Sequence, residues 1–153
     1  MLVGLISDTH GLLRPEVFEA FHGVELILHA GDVGGIGILT QLGAIAPVHA
    51  VYGNTDPLGQ PGLAAKLHLV LENFSLHVSH GHEVGRPTPE RLAVKYQADI
   101  IIYGHTHRPL TERVGKTLVV NPGAAGPRRF DLKPSVARLT LENQQAGVEL
   151  IWL

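Results

Sequence analysis

Residues 2–10 read LVGLISDTH, an apolar run over Leu2–Ile6 that is followed at once by Asp8 and His10. A short apolar run bounded by polar residues predicts a buried strand, so both polar residues lie just past its carboxyl end. Taken alone, an Asp-x-His pair at a strand end is also ordinary turn chemistry. Its meaning depends on whether the other strands of the chain end in the same way.

Composition limits the classes of protein to which the chain can belong. It has 153 residues, a hydrophobic fraction of 44% and a net charge of −2, which predict one folded domain over residues 1–153. This near-neutral charge disfavours strong sequence-independent binding to nucleic acid. The chain has no cysteine, which excludes disulfides and thiolate metal ligands. No apolar run reaches the ~20 residues of a membrane span, and residues 1–6 lack the basic flank of a signal peptide, so we expect a cytoplasmic location.

The predicted elements alternate between strand and helix early in the chain and become strand after strand later. The first pattern predicts parallel pairing and the second antiparallel pairing, so we expect an α/β fold with a loop over residues 53–62. The predicted helices cover residues 15–21, 36–42 and 89–98. The predicted strands cover residues 2–6, 26–28, 47–51, 67–71, 75–78, 100–103, 110–114, 117–121, 136–141 and 148–152.

Five of these strands are followed directly by side chains that can bind a metal ion. Since ligands bind at the carboxyl edge of an open α/β sheet, we expect these side chains to converge. Each of them alone is more simply explained as a cap, a turn or a hydrogen-bonded histidine, but five matching strand ends favour a metal site. The candidate ligands are Asp8, His10, Asp32, Asn54, His80, His105 and His107.

The candidate ligands offer only oxygen and imidazole nitrogen, which suits Mn²⁺ first, and Fe²⁺, Zn²⁺ or Ni²⁺ as alternatives, better than Ca²⁺. A catalytic zinc-type site uses about three protein ligands, so seven fit two ions about 3.5–4 Å apart that share a carboxylate. Two such ions with Asp8, Asp32 and a hydroxide leave a charge of about +1, which attracts an anion. Asn54 preserves that charge, because a third carboxylate would cancel it. The pattern therefore predicts chemistry on a phosphoryl group.

Five short motifs occur in order along the chain: D-x-H at 8–10, G-D at 31–32, G-N at 53–54, H-G-H at 80–82 and G-H-T-H at 104–107. Together they resemble the calcineurin-like metallophosphoesterases, and the small size and the GNTD and NPG stretches resemble the short YfcE-like phosphodiesterase branch. The resemblance extends from Asp8 to about Arg128.

This resemblance implies a four-layer αββα sandwich, in which two packed mixed β-sheets are flanked by helices. It also implies that a hydroxide bridging two ions attacks the phosphodiester, in line with the leaving oxygen. The implied ligands of one ion are Asp8, His10, Asp32 and His107. The implied ligands of the other are Asp32, Asn54, His80 and His105, with Asp32 bridging the two.

One position departs from the family pattern. Larger members carry a histidine after the Asn of the G-N motif, which protonates the leaving group, whereas this chain has Thr55. A threonine hydroxyl is far too weak an acid for this role, so we expect a preference for good leaving groups or a substitute acid. His82 is the nearest substitute, because histidine side chains in general titrate near neutral pH. A supporting or surface histidine is an equal alternative for His82.

Three further residues have two interpretations each. Arg128 and Arg129 are candidate substrate-binding residues, because arginine pairs well with phosphate oxygens, and a solvated turn is the alternative for at least one of them. Asp56 either braces the loop that carries Asn54 or begins an Asp-Pro turn. We interpret His29, inside a predicted strand, as a packed structural histidine.

The sequence therefore predicts a dinuclear-metal phosphodiesterase that acts on a small phosphodiester, with Asp32, Asn54 and His82 as catalytic residues. Few aromatic residues (5%) and no basic stretch make nucleic acid a less favoured partner. Two alternatives stay open: a partner-binding scaffold of the same fold, like one subunit of retromer, and a phosphomonoesterase or nuclease on the same ions. The sequence does not decide the oligomeric state, and a homodimer is compatible with it.

Overall fold

The apolar runs of the sequence assemble into two β-sheets that pack face to face. A computed structural model describes residues 1–153. Its helices are α1 Glu16–Ala20, α2 Ile36–Gly43 and α3 Pro89–Lys95, with a 3₁₀ turn at His82–Val84. Its strands are β1 Leu2–Ile6, β2 Leu26–His29, β3 Val48–Val51, β4 Leu63–Ala64, β5 Leu67–Leu71, β6 Phe74–Val78, β7 Ile100–Ile102, β8 Leu110–Val114, β9 Thr117–Asn121, β10 Ser135–Glu142 and β11 Gln145–Trp152. None of the helices has the length and apolar character that crossing a bilayer requires.

Each sheet combines parallel and antiparallel strands. The first sheet has the order β11-β10-β1-β2-β3-β4, and the second has the order β5-β6-β7-β9-β8. Strands β1 to β4 run parallel, as do β6, β7 and β9. Antiparallel pairs add β10 and β11 to one sheet, and β5 and β8 to the other. The parallel strands of the two sheets bring their carboxyl ends to a common edge, where the candidate ligands lie.

Three apolar clusters separate four layers of structure. Because successive side chains of a strand face opposite sides, Ile100 and Ile102 of β7 face the space between the sheets while Ile101 faces outward. There Ile101 packs with Leu92 of α3. Helices α1 and α2 cover the outer face of the first sheet, where Leu42 belongs to the same cluster as the strand residues. The predicted four-layer sandwich is therefore confirmed.

The predicted helix over residues 89–98 is wrong at its carboxyl end, because α3 stops at Lys95. Tyr96 has an extended backbone, with φ −114° and ψ 129°. Its ring stacks on that of buried His77 with centroids 3.6 Å apart, and its hydroxyl donates to Glu83 Oε2 at 2.9 Å. These contacts with residues distant in sequence end the helix.

The connection between the predicted strands 136–141 and 148–152 is also shorter than expected. Only Asn143 and Gln144 form it, with φ 52° and 60°, so β11 begins at Gln145. Two consecutive residues with positive φ are typical of the tight turn that matches the twist of a hairpin. Glu72–Asn73 form the same kind of turn between β5 and β6. Strand β4 was not predicted, because two residues are too few to show a period.

Candidate metal centre

All seven candidate ligands lie at the carboxyl edge shared by the two sheets. Four of these residues are buried: Asp8, Asp32, His80 and His107. Asn54 is exposed and His105 is partly exposed, so the centre opens to solvent on one side. By strand, they follow β1 (Asp8, His10), β2 (Asp32), β3 (Asn54), β6 (His80) and β7 (His105, His107).

Asp8, His10 and His107 form one group whose ligand atoms all lie within 4.8 Å of one another. Asp8 Oδ1 is 3.7 Å from His10 Nε2 and 3.2 Å from His107 Nε2. Asp8 Oδ1 and His10 Nε2 are both buried and have no hydrogen-bond partner. Buried polar atoms without partners are rare and unfavourable in native proteins. A divalent cation between these atoms would satisfy them, so the residues fit a metal ion.

A second group lies around Asn54, whose Oδ1 is 3.1 Å from both His80 Nε2 and His105 Nδ1. Asp32 Oδ2 is 3.3 Å from His80 Nε2 in this group and 3.7 Å from His10 Nε2 in the first. The Asp32 carboxylate therefore lies near both groups and can be a shared ligand. Asp8 also reaches the second group, because the ligand atoms of Asp8, Asp32 and His80 lie within 4.8 Å of one another. Oxygen and imidazole donors in this number fit two divalent cations of the Mn²⁺ or Zn²⁺ kind.

At Asp8, Asp32 and His105 the electrostatics favour the protonation states that a metal ion requires. Burial opposes ionisation of Asp8, but the nearby imidazoles of His10 and His107 outweigh it and hold the pKa of Asp8 well below its usual range. Burial is likewise outweighed at Asp32, where the hydrogen bond and charge of His80 lower the pKa to about 2. Burial, with the nearby His80, lowers the pKa of His105. Two ionised carboxylates and a neutral imidazole are ready ligands at neutral pH.

The orientation of His80 is set by the backbone. Its Nδ1 lies 2.7 Å from the carbonyl oxygen of Ala30, which can only accept, so Nδ1 carries the proton and Nε2 faces the centre. Burial lowers the pKa of His80, but the neighbouring carboxylates of Asp32 and Asp8 favour a second proton on Nε2 and outweigh it, so the net shift is upward. A metal ion has to displace that proton to bind Nε2.

Five of the seven candidate ligands have left-handed backbone conformations. A positive φ is uncommon in residues other than glycine, and it persists only where the surrounding structure holds it. Such conformations cluster at functional sites, because they aim side chains in directions that regular strands do not allow. The φ values are 54° at Asp8, 45° at His10, 53° at Asp32, 68° at His105 and 61° at His107.

Two glycines allow the loops of the centre to approach each other. A Cβ on Gly53 would overlap the carboxylate and backbone nitrogen of Asp32, and a Cβ on Gly104 would overlap Ser7 Oγ. Only glycine fits at such close approaches. The G-N and G-H-T-H motifs therefore require glycine for packing against the Asp32 and Asp8 segments.

Asp56 braces the loops of the first sheet, which is one of the two interpretations offered by the sequence. Its buried carboxylate accepts hydrogen bonds from the backbone N–H groups of Val33, Gly34 and Gly53, at 3.0, 3.0 and 2.9 Å. It thereby ties the loop that carries Asp32 to the loop that carries Asn54.

His29 is fully buried, as the interpretation of a packed structural histidine predicts. Its Nδ1 accepts from the backbone N–H of Gly31 at 3.1 Å, so its Nε2 carries the proton and donates to Thr9 Oγ1 at 2.9 Å. Thr9 Oγ1 in turn donates to the carbonyl of Val33 at 2.7 Å. Burial lowers the pKa of His29 to about 4, and the neutral ring links β2 to the loop after β1.

Asn121 braces the second sheet and was missed as a site residue. Its Nδ2 donates to the carbonyl of Gly104 at 2.9 Å and to Thr106 Oγ1 at 3.1 Å, and its Oδ1 accepts from Gly123 N at 2.9 Å. This side chain holds the loop that carries His105 and His107. The N-P-G stretch directly after a strand was the available signal.

His82 lies at the rim of the centre. Its ring centroid is 5.4 Å from that of His80 and 6.3 Å from that of His105, and its side chain is 29% exposed. Arg128 and Arg129 are both exposed. Only Arg129 lines the cleft of about 210 Å³ that begins at His105 and His107.

Comparison with known proteins agrees with the geometry. A model of the calcineurin-like phosphoesterase superfamily domain matches residues 1–144. The chain is 39% identical over 161 residues to a probable metallophosphoesterase of Methanothermobacter thermautotrophicus, covering 99% of this chain and 92% of the relative. It is 33% identical over 142 residues to phosphodiesterase YfcE of Escherichia coli K12, covering 77% and 76% of the two chains. Both names are those of hydrolases, consistent with the predicted enzyme class.

Among solved structures, wild-type Vps29 of Entamoeba histolytica, complexed with Zn²⁺, superimposes with a TM-score of 0.80 at 28% identity, and the match covers 99% of each chain. The family resemblance that the motifs indicated is confirmed. The chain belongs to the calcineurin-like phosphoesterase superfamily.

Proposed function

We propose that this protein is a phosphodiesterase that depends on two divalent cations bound at the carboxyl edge of its sheets. The observation that carries the proposal is Asp8 Oδ1, a buried oxygen without a hydrogen-bond partner that faces three imidazole nitrogens at 3.2–3.9 Å. Mn²⁺ is the first candidate, and Fe²⁺, Zn²⁺ and Ni²⁺ are the alternatives. When bound, such ions supply an activated water and polarise the phosphoryl oxygens.

The residues of the chain prepare this centre for a phosphodiester anion. Asp8 and Asp32 contribute two negative charges, and Asn54 contributes none, which leaves a loaded centre positive. Asp32 Oδ1 accepts from the backbone N–H of Thr55 at 2.9 Å, so this carboxylate is held before any substrate binds. Arg129, at the edge of the cleft, is our proposed partner for a phosphate oxygen.

The site lacks the histidine that protonates the leaving group in larger members of the family. Thr55 follows Asn54, and a hydroxyl is too weak an acid to replace a histidine there. His82 lies beside two proposed ligands without belonging to either group, so we propose it as the proton donor. A small phosphodiester with a good leaving group is the substrate that needs this donor least. Nucleic acid is a less favoured substrate, and we propose no membrane partner.

The experiment that tests the proposal measures hydrolysis of bis(p-nitrophenyl) phosphate by metal-stripped protein, with and without Mn²⁺, beside p-nitrophenyl phosphate. We expect metal-dependent turnover with the diester faster than the monoester. The matched variants are Asp8→Asn, which we expect to be inactive, and Glu149→Gln on exposed β11, which we expect to be fully active. A faster monoester would change the substrate class and keep the metal centre.

A second candidate function is a scaffold that binds protein partners. The similarity to Vps29 over nearly the whole of both chains favours it. The same experiment separates the two functions. If the protein binds two ions but hydrolyses neither ester, the scaffold is the better explanation.

A further inference from the structure

Phe130 combines two unfavourable features beside the metal centre. Its side chain is 93% exposed, and its φ is 55°. Ten residues other than glycine have a positive φ: five are candidate ligands, four form the two hairpin turns described above, and Phe130 begins a third two-residue turn, between Arg129 and Leu132. A single exposed apolar side chain is common on protein surfaces, so the meaning of Phe130 depends on what surrounds it.

The turn that carries Phe130 is closed by a backbone hydrogen bond and lies beside the candidate metal centre. Leu132 N donates to the carbonyl of Arg129 at 3.1 Å, and these two residues form an isolated antiparallel bridge. Phe130 and Arg129 of this turn line a cleft of about 210 Å³. The same cleft is lined by His105, His107 and Arg108. We call this space the Phe130 cleft.

The charged side chains that line the Phe130 cleft, apart from the two candidate-ligand histidines, are both arginines. Arg108 and Arg129 line it, and no acidic residue does. Arg108 also lines an adjoining cleft of about 380 Å³ with Arg86, and no acidic residue lines that cleft either. In a chain with a net charge of −2, this local excess of arginine favours an anion.

The apolar part of the cleft favours a flat ring. Phe130 presents an aromatic face and Leu132 an aliphatic side chain on the same cleft. Any nucleobase can stack on an aromatic side chain, and arginine side chains strengthen such stacking. A cleft of about 210 Å³ is smaller than the roughly 300–1,000 Å³ of drug-sized ligand sites. It therefore suits one ring beside one phosphate better than a polymer.

We infer that the Phe130 cleft binds the organic substituent of the phosphodiester, and that this substituent carries a planar aromatic ring of the nucleobase kind, stacked on Phe130 with its phosphate between the arginines and the metal centre. The inference rests on the proposed function, since it names the substrate class of that centre. Phe130 is then a specificity-determining residue.

A binding experiment tests the stacking without any need for turnover. Calorimetry on Mn²⁺-loaded protein compares adenosine 5′-monophosphate with ribose 5-phosphate, which lacks only the base. We expect the nucleotide to bind roughly tenfold more tightly, as one stacked base predicts. Phe130→Ala should remove that difference, Phe130→Tyr should restore it, and neither should change the affinity for ribose 5-phosphate. Equal affinity of Phe130→Ala and the wild type for the nucleotide overturns the inference.

The matched control is Phe18→Ala, because Phe18 is a second exposed phenylalanine (43%) that lies on α1 and lines neither cleft. We expect it to leave both affinities unchanged. If it weakens nucleotide binding as much as Phe130→Ala does, the loss reflects general damage and the inference fails.

A turnover experiment separates failure of this inference from failure of the proposed function. Thymidine 5′-(p-nitrophenyl) phosphate and methyl p-nitrophenyl phosphate share one leaving group and differ in the retained substituent. We expect wild-type kcat/KM to be roughly tenfold higher for the thymidine ester and Phe130→Ala to remove this preference. If both esters react without dependence on Phe130, this inference fails and the phosphodiesterase stands. If neither reacts while nucleotide binding depends on Phe130, the phosphodiesterase fails and the cleft remains a nucleotide site.

Discussion

The carboxylate of Asp56 accepts a hydrogen bond from the backbone N–H of Gly53 at 2.9 Å, one residue before the proposed ligand Asn54. The same carboxylate holds the backbone N–H groups of Val33 and Gly34, directly after Asp32. One buried side chain thus fixes the distance between two strand ends that supply ligands. We therefore expect metal binding at the candidate centre to depend on this brace as well as on the ligands.

Replacing Asp56 should weaken both stability and metal binding. In Asp56→Asn one carboxylate oxygen becomes an NH₂ group, which leaves at least one backbone N–H facing a donor. A buried unsatisfied donor costs about 1–3 kcal/mol of unfolding free energy. Loss of a residue that supports metal ligands typically lowers metal affinity roughly 10–100-fold. Urea unfolding and Mn²⁺ calorimetry measure the two effects. Glu149→Gln is the control, and unchanged Mn²⁺ affinity in Asp56→Asn would contradict the bracing role.

Gly53→Ala should disrupt the centre although it adds only a methyl group. A Cβ there overlaps the carboxylate and backbone nitrogen of Asp32, so Asp32 has to move away from its position between the two ligand groups. We expect the variant to lose Mn²⁺ affinity and stability. The control is Gly37→Ala in α2, where a Cβ meets nothing within 4 Å. Because alanine favours helix, this control should gain up to about 1 kcal/mol. Equal Mn²⁺ binding by the two variants would refute the steric argument.

Ligand variants should remove the two ions selectively. His107 belongs to the group around Asp8, and His105 belongs to the group around Asn54. We expect His107→Ala and His105→Ala each to bind one Mn²⁺ per chain at concentrations where the wild type binds two. Asp32→Ala should weaken both sites, since its carboxylate lies between them. Metal analysis after dialysis gives these numbers. A wild type that binds a single ion, abolished by either histidine variant, would disprove the two-ion arrangement.

Buried neutral histidine should make the metal-free protein sensitive to mild acid. Burial lowers the pKa of His29 to about 4, whereas histidine in the unfolded chain titrates near 6.5. The unfolded chain therefore binds a proton that the folded chain excludes. Stability is complete above pH 6.5 and falls as pH decreases toward 4, by about 3 kcal/mol for one such group.

Two other histidines modify this pH dependence. Burial lowers the pKa of His77 to about 4, so it acts in the same direction, while the raised pKa of His80 acts against both. Urea unfolding of chelator-treated protein at pH 7 and pH 5 should show the net loss. In His29→Asn the difference between the two pH values should shrink, whatever the variant's absolute stability. An undiminished difference would show that His29 is not responsible.

The convergence of the candidate ligands could be predicted from the sequence because their signal is local. An apolar run marks each strand, and Asp8, Asp32 and His80 follow within a few residues of a strand end. The residues that brace the ligand loops have no such local signal. Asp56 contacts Val33, 23 residues earlier, and Asn121 contacts Gly104, 17 residues earlier. The spacing of apolar residues along the sequence does not reveal contacts between residues so far apart.

The backbone conformation of the candidate ligands could not be predicted from the sequence either. Asp8 and His105 have left-handed backbones, and although Asp and His adopt positive φ more often than most residues, their type alone does not predict it at a given position. The early end of α3 has the same kind of cause, because stacking on His77 overrides the helical tendency at Tyr96. Local propensity predicted the elements, and contacts between distant residues decided where they end.

The last prediction concerns protonation of the leaving group. If His82 donates this proton, His82→Ala should hydrolyse p-nitrophenyl diesters nearly as fast as the wild type, because p-nitrophenolate leaves without help. On phenyl diesters, whose leaving group is more basic, the variant should be slower by roughly 100-fold, the lower range of general acid catalysis. Thr55→His places a histidine after Asn54 and should accelerate the phenyl diester alone. A series of aryl leaving groups measures both slopes. Parallel slopes for His82→Ala and the wild type would exclude His82 as the acid and leave a preference for good leaving groups as the consequence of Thr55.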